Sequence, residues 1–456
     1  MSIIPPRFLP RVGNDPLTQA FDRPSLGGAM MGGPPGPSPD IDRSYETLWD
    51  QPPREPLAAY VNIPFCPSFC PFCGFFKVRH DEELEKRYLA SLLREIAREG
   101  ELLRAHELRI SALFIGGGTP ALLSPALLGE LLEGIARAAP LAADAEITLE
   151  GRVSVMDREK AQTIFRGGVN RLSLGIQSFD RGVRARAGRG DSPRKIVSFI
   201  DETAALGAGA LTLDLMFGLP GQTAEIFARD LETAASLPID ALSAYLTKVM
   251  PQTALAREVS DGSALPPLSR LAECYRHADR FLADKGFEKV SANHFRRTQR
   301  DRNLYNYLTM GLYDLVGWGA GAGSFTRGKL SLNAQDLGVY ADGVERGLKP
   351  LAMVRPPHPL AEAMATVSRT LFLGVLGRDL LRREPFDAPL VSELIAVWNE
   401  AGLVEEEEKG FKLTQAGFFW RSNLEEGLKG VLSLGLPSAR GPAPGAAPTP
   451  SRGPMN

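Results

Sequence analysis

The stretch Tyr60–Phe76, YVNIPFCPSFCPFCGFF, decides how this chain is read. Three of its four cysteines lie there, Cys66, Cys70 and Cys73, spaced C-x3-C-x2-C, while Cys274 stands far along the chain. An apolar, β-like run leads into them, and Pro64, Pro67 and Pro71 stiffen the loop and hold it off helix or strand. Thiolates are the soft ligands that iron–sulfur clusters take. Three on one loop leave a fourth ligand position open, the mark of a catalytic rather than a closed structural centre. The expectation is a [4Fe–4S] cluster with one iron free for a substrate or cofactor. The plainer alternatives are a zinc knuckle with His80 as a further ligand, or three unrelated buried thiols.

Around this loop the chain alternates short apolar runs with amphipathic ones. Strands are expected at Ala58–Ile63, Ile110–Ile115, Glu146–Glu150, Arg171–Ile176, Leu211–Phe217 and Ala241–Leu246. Helices are expected at Glu82–His106, Pro125–Ala138, Arg158–Arg166, Pro193–Leu206 and Ala224–Ser236. Six strand–helix units predict an α/β fold, a partial (βα)6 TIM-type barrel. The unusual residues fall at or just after strand ends: Cys66 after strand one, GGGTP (Gly116–Pro120) after strand two, Glu150 closing strand three. Gln177 follows strand four, Asp214 lies in strand five, and Tyr245 is near the end of strand six. The reactive face of α/β barrels is the C-terminal end of the strands, so chemistry gathered there from six strands predicts one site. GGGTP lets backbone approach a ligand, or makes a tight turn. Asp214, inside the otherwise apolar TLDLMFGLP, has to be paired or functional.

Beyond the barrel the pattern changes. A C-terminal α+β extension (251–358) carries a helix over 267–286, a strand at Val290–His294 and the glycine-rich DLVGWGAGAGSF (Asp314–Phe325). A small winged-helix-like domain (359–434) follows, with a helix over Leu390–Ala401, a stop at Gly402 and a hairpin from GFKLTQAG (Gly410–Gly417). Residues 1–55 read as a Pro/Gly-rich arm with at most a short helix near Ile41–Asp50, 56–250 as the barrel, and 435–456 as a disordered tail.

Length and composition set the outer limits. At 456 residues, 44% hydrophobic, 23% charged and net −2, this is an ordinary globular chain and not an electrostatic nucleic-acid binder. No apolar run reaches the ~18–20 residues of a membrane span, and no signal peptide is evident, so a cytoplasmic protein is expected. Four cysteines are too few for a disulfide framework.

In this order, YVNIPFCPSFCPFC, FIGGGTP, RLSLGIQSFD and LDLMFGLPGQT resemble the radical S-adenosylmethionine enzymes, in the oxygen-independent coproporphyrinogen dehydrogenase-like group. The resemblance runs from about Tyr60 to Leu434. It implies that Cys66, Cys70 and Cys73 ligate the cluster and that S-adenosylmethionine binds the open iron, with two molecules of that cofactor present. Tyr60, Gly117 and Glu150 would contact the first; Phe72, Gly118, Thr119, Gln177, Arg189 and Asp214 would line the second position. The porphyrinogen dehydrogenase has a further cysteine, C-x3-C-x2-C-x-C, where this chain has Phe75. NHFRRTQRDRNLYNYLTM with DLVGWGAGAGSF, and NDPLTQAF (Asn14–Phe21), are similar instead to the anaerobic haem-degrading methyltransferases. That similarity implies radical opening of haem to a methylated linear tetrapyrrole, with release of iron and an electron supplied by a flavodoxin or ferredoxin-type reductant. A haem-binding chaperone and the porphyrinogen dehydrogenase are the alternatives. His294 and Tyr305 are the candidate catalytic residues. His294 would ligate haem iron or move a proton, and Asn303, Tyr305 and Asn306 would support the loop over the site. Arg296, Arg297, Arg300 and Arg302 would clamp haem propionates or lie on a solvated helix face. GAGAG (Gly319–Gly323) would approach the second adenosine or form a flexible turn. Cys274 reads as a packing residue.

Overall fold

The computed structural model describes residues 3–25, 49–261 and 265–434. The expected helix near Ile41–Asp50 falls, apart from its last two residues, outside them, as does the tail from 435 onward.

All six barrel strands are present: Leu57–Ile63, Ile110–Gly117, Leu141–Gly151, Arg171–Gln177, Ala210–Phe217 and Ala241–Leu246. They pair parallel, side by side, in sequence order. Strand one is buried along nearly its whole length, as a strand covered on both faces must be. The crossover helices begin where the side chains supply caps. Asp81 accepts from Leu84 N at 2.9 Å to open Glu82–Ala105, and Ser124 with Pro125 opens Pro125–Ala138. The first of these buries Leu89, Leu92, Ile96 and Leu103 on one face, which seats it on the sheet.

The extension continues the sheet on both sides. Leu315–Trp318 pairs parallel with strand one, and Gly323–Thr326, Lys329–Asn333 and Leu351–Arg355 follow antiparallel. His294–Arg296 pairs antiparallel with strand six. The result is a twelve-stranded sheet whose edges are Leu351–Arg355 and Glu288–Lys289, an incomplete barrel. The strand expected at Val290–His294 is instead two short strands, Glu288–Lys289 and His294–Arg296, around a bend. That bend turns His294 into register with strand six.

Near the C-terminus, Ala361–Leu373, Pro389–Glu400 and Arg421–Leu434 surround a three-stranded sheet. Its hairpin joins Val404–Glu407 to Gly410–Leu413. The acidic run is thus one arm of the hairpin, and Gln415–Phe419 is helical, because Thr414 caps a new helix by accepting from Gly417 N. The N-terminal arm straps this region. Phe8 is buried, Trp420 Nε1 donates to Pro16 O at 2.8 Å, and Ser25 Oγ donates to Glu426 at 2.6 Å. Among the described residues no helix is long and apolar enough to cross a membrane.

Candidate active site

The cysteine loop leaves strand one and is stitched to its neighbours by backbone. Cys73 N donates to Cys70 O at 3.1 Å, His80 N to Cys66 O at 3.1 Å, and Leu255 N to Pro71 O at 3.0 Å. Gly118 N and Thr119 N donate back to Ile63 O and Phe65 O, both at 2.8 Å. That close approach explains the glycines. Gly117 has φ of +112°, and a Cβ on Gly118 would lie 2.5 Å from the Phe65 carbonyl oxygen. No side chain larger than hydrogen fits there.

A cavity of about 170 Å³ opens inside this loop. Eleven of the expected residues line it: Cys66, Phe72, Cys70, Cys73, Gly117, Gly118, Thr119, Glu150, Gln177, Arg189 and Asp214. Cys66 is buried, Cys70 and Cys73 are half-buried, and all are free thiols. Cys66 Sγ lies 3.7 Å from Thr119 Oγ1. Among the described residues no three His, Cys, Asp or Glu side chains converge tightly enough for one metal ion. The thiols stand around a cavity, which suits a multi-iron cluster whose ligands lie farther apart than those of a single ion. His80 lies outside the cavity lining and is bonded to Glu85 at 2.5 Å, so the zinc alternative finds no fourth ligand there.

Two carboxylates and two guanidiniums face the same cavity. Glu150 Oε2 accepts from Gly117 N at 3.3 Å; burial and the neighbouring Asp214 push its carboxyl up to about 7. Burial also raises Asp214, against the pull of Arg171 and bonds from Ser173 and Ser243. Arg189 Nη1 donates to Gly175 O at 2.7 Å. Arg152, which the motif reading missed, holds Ser68 of the cysteine loop and Gly188 through its two terminal nitrogens. Its signal was its place two residues after Glu150 at the same strand end. The Nε atoms of Arg152 and Arg189 are buried without a partner, an arrangement that awaits an anionic group. A thiol set, a glycine rim and unpaired guanidinium nitrogens together fit a cluster carrying an amino-acid-like ligand.

Tyr60 and Tyr305 line no part of this cavity. They stack with Phe114, Tyr305 at 4.6 Å and Tyr60 at 6.3 Å between ring centres. The ring stack lies close enough for Glu150 to help raise both phenols, after burial.

Beside it lies a larger cavity of about 420 Å³. His294, Asn303 and Asn306 line it, with Tyr245, Phe217, Phe372, Phe418 and Phe419. Phe75, which is 76% exposed, lines both cavities. A row of cross-strand partners joins the two. Asp214 pairs with Ser243, and Ser243 with His294. His294 has both ring nitrogens engaged, Nδ1 with Ser243 Oγ at 3.0 Å and Nε2 with Asp301 Oδ1 at 2.9 Å. Asp301 also takes Arg171 Nε at 2.9 Å and the Thr212 hydroxyl. Burial alone would raise the Asp301 carboxyl, but Arg171 and His294 hold it well below the usual carboxylate range. His294 is therefore a fixed link in a buried polar chain, with no ring nitrogen free to ligate iron.

The four arginines expected at the propionates lie elsewhere. Arg297 donates to the carbonyls of Ala235, Leu237 and Ile239, Arg300 to Gly209 O, and Arg302 to Asp144 O. Arg296 pairs with Glu288. Gly209 and Ile239 precede strands five and six, so these side chains serve the opposite end of the barrel. GAGAG also lines neither cavity: Gly319 N donates to Glu95 at 2.7 Å and Ala320 N to the Tyr88 hydroxyl at 3.1 Å. Cys274 is buried in the core, where burial pushes its thiol up to about 12.

The Radical SAM superfamily model matches residues 60–234. The chain is 33% identical over 388 residues to anaerobilin synthase of Escherichia coli O157:H7, covering 84% of this chain and 85% of that protein. It is 30% identical to the heme chaperone HemW of Escherichia coli K12, covering 81% and 97%. The solved structure of Escherichia coli coproporphyrinogen III oxidase (HemN), described as a radical SAM enzyme, superposes with a TM-score of 0.73 at 25% identity, over 85% of this chain and 93% of that one.

Proposed function

This chain belongs to the radical S-adenosylmethionine superfamily, and from that premise we propose that it opens haem without oxygen to a methylated linear tetrapyrrole and frees the iron. The observation that carries the proposal is the pairing of cavities. A small polar one ringed by three thiols shares Phe75 with a larger one lined by aromatic rings, and flat conjugated ligands bind in such apolar enclosures. The likeness to anaerobilin synthase supports the substrate.

Cys66, Cys70 and Cys73 would hold the [4Fe–4S] cluster. When bound, the cluster and two S-adenosylmethionine molecules supply the electron, the radical and the methyl group. The chain's own residues bind and orient. Gly117 and Gly118 admit the cofactor's amino-acid end against backbone. Arg152 and Arg189 offer unpaired N–H donors to its carboxylate. Glu150, poised near 7, accepts from an ammonium or a ribose hydroxyl once ionised. The buried chain from Arg171 through Asp301, His294 and Ser243 holds the Asp214 carboxylate at the small cavity. Phe75 closes that wall with an apolar ring where a porphyrinogen dehydrogenase would carry a thiol.

Anaerobic reconstitution with haem, S-adenosylmethionine and a strong reductant should yield a methylated linear tetrapyrrole by mass spectrometry. Release of 5′-deoxyadenosine with haem left intact would sink the substrate. The HemW likeness favours a second reading, haem capture and transfer. Stoichiometric transfer of unchanged haem to an acceptor protein would establish it.

A further inference from the structure

Ser243 lines neither cavity, yet it stands at the centre of the buried row that joins them. The sheet register sets Asp214 beside it on strand five and His294 on its other side. Its hydroxyl meets His294 Nδ1 at 3.0 Å and bonds the Asp214 carboxyl.

Counting donors shows what such a row can do. Arg171 at 2.9 Å and the Thr212 hydroxyl keep Asp301 ionised. Asp301 therefore accepts, and His294 Nε2 carries the hydrogen of their 2.9 Å bond. The Ser243 hydroxyl then has one hydrogen for two neighbours. Given to Nδ1, it leaves the imidazole neutral, and the Asp214 carboxyl has to be protonated to bond Ser243 Oγ. Given to Asp214, it meets a carboxylate, and Nδ1 needs a hydrogen of its own, which makes His294 an imidazolium. Both states keep every bond of the row and hold the same protons. The first presents neutral groups to both cavities; the second presents an anion to the small cavity and a cation to the larger one.

The surroundings set the two states against each other. Arg171 and a 3.0 Å bond from Ser173 favour the Asp214 carboxylate, and burial opposes it; Glu150 faces the same cavity as a like charge. Asp301 stands by His294 as its counter-ion, while Lys248 and the Glu425-paired Arg421 are the cations of the larger cavity. Tyr245, which also bonds Ser243, stays protonated, its phenol raised by burial and by Asp214.

We propose that Ser243 relays one proton between Asp214 and His294, so that a cationic ligand in the small cavity places a positive charge on the wall of the larger one. The proton leaves the Asp214 carboxyl for Ser243 Oγ as the hydroxyl's own hydrogen passes to His294 Nδ1, and no electron moves. A sulfonium or ammonium beside Asp214 stabilises the carboxylate and drives the transfer. By linkage, an anionic ligand in the larger cavity tightens the cation's binding by the same factor as the cation tightens its own. Ser243 is a positioning residue, and the proposal rests on reading the small cavity as the S-adenosylmethionine site.

Infrared difference spectra of the full chain carrying its oxidised cluster, with and without S-adenosylmethionine, read the step through the C=O stretch of a protonated carboxyl. Carboxyl-13C aspartate labelling separates Asp214 from Glu150, and absence of the band from D214N assigns it. The cofactor should remove the band from the wild type, leave it in S243A and remove it again in S243T, which restores a hydroxyl. A labelled band that survives the cofactor in the wild type, or is lost alike from S243A, overturns the relay. The labelled wild type decides even where a variant does not fold. Failure to bind S-adenosylmethionine at all overturns the cofactor reading and this proposal with it. Haem should bind the wild type about fivefold or more tighter with the cofactor present, and S243A equally in both conditions. Haem bound without that gain overturns the coupling and leaves the haem reading standing.

Discussion

The two cavities are built in opposite ways. The small one is made almost wholly from strand ends within one run of βα units, by residues that stand out in the sequence: three cysteines, a triple glycine, a carboxylate in an apolar strand. The larger one draws on strand six, the extension, the winged-helix-like region and, through Pro24, the N-terminal arm. Its walls are mostly ordinary packing and polar side chains, aromatic rings and amides foremost. A site built from one repeated unit announces itself through local motifs. A site built at the meeting of several units does not, because each contributor looks like packing until the others arrive.

That contrast can be broken most sharply at the cysteine loop. Cys70→Ser should abolish the cluster absorbance and turnover together, while Cys274→Ser, buried in the core, should leave both in place; undiminished turnover in the first would refute the cluster-based mechanism. Next in size is the link between the cavities. Asp301→Asn leaves Arg171 buried beside a neutral amide and should cost about 3–5 kcal/mol of stability, read from the urea midpoint. Asp214→Asn should cost little stability, since burial already opposes that charge, yet should cut turnover strongly.

Glu150 gives a pH signature of intermediate size. Its folded carboxyl titrates near 7, above the ordinary value, so folding takes up a proton there. Its favourable contribution is complete below the ordinary carboxylate value and is lost as pH rises through about 7. Glu150→Gln should therefore match the wild type in stability at pH 5 and exceed it at pH 8. Cofactor affinity should rise through pH 7 in the wild type and stay flat in the variant. The smallest effect is expected at the far end of the barrel. Arg302→Gln should leave porphyrin affinity within about twofold and stability within about 0.5 kcal/mol, because the side chain is solvent-facing there. A tenfold loss of porphyrin affinity would restore the propionate role to that segment.

Period and punctuation made the barrel legible. Apolar runs of strand length, amphipathic runs between them, and odd residues collected at one strand end all point the same way. Nine of the eleven expected cavity residues follow from that logic; Phe72 and Arg189 follow only from the family resemblance. Tyr60, in the middle of strand one, stacks near Phe114 and Tyr305, neighbours that its place in an apolar strand does not reveal. Arg152 was overlooked because a single arginine after a strand has no pattern of its own. The charge density of the RRTQRDR segment suggests anion binding, whereas Arg297, Arg300 and Arg302 donate to backbone carbonyls and Arg296 pairs with Glu288.

By itself the sequence determined that three thiols on one stiffened loop open an α/β barrel, since spacing and proline constraint are local properties of the chain. Only the tertiary structure decided that His294 is locked between Ser243 and Asp301, that Tyr245 and Phe419 line one cavity, and that Phe75 is a wall common to two cavities. Register across non-adjacent strands and the docking of a distant helix set those neighbours, and neither leaves a trace in local sequence.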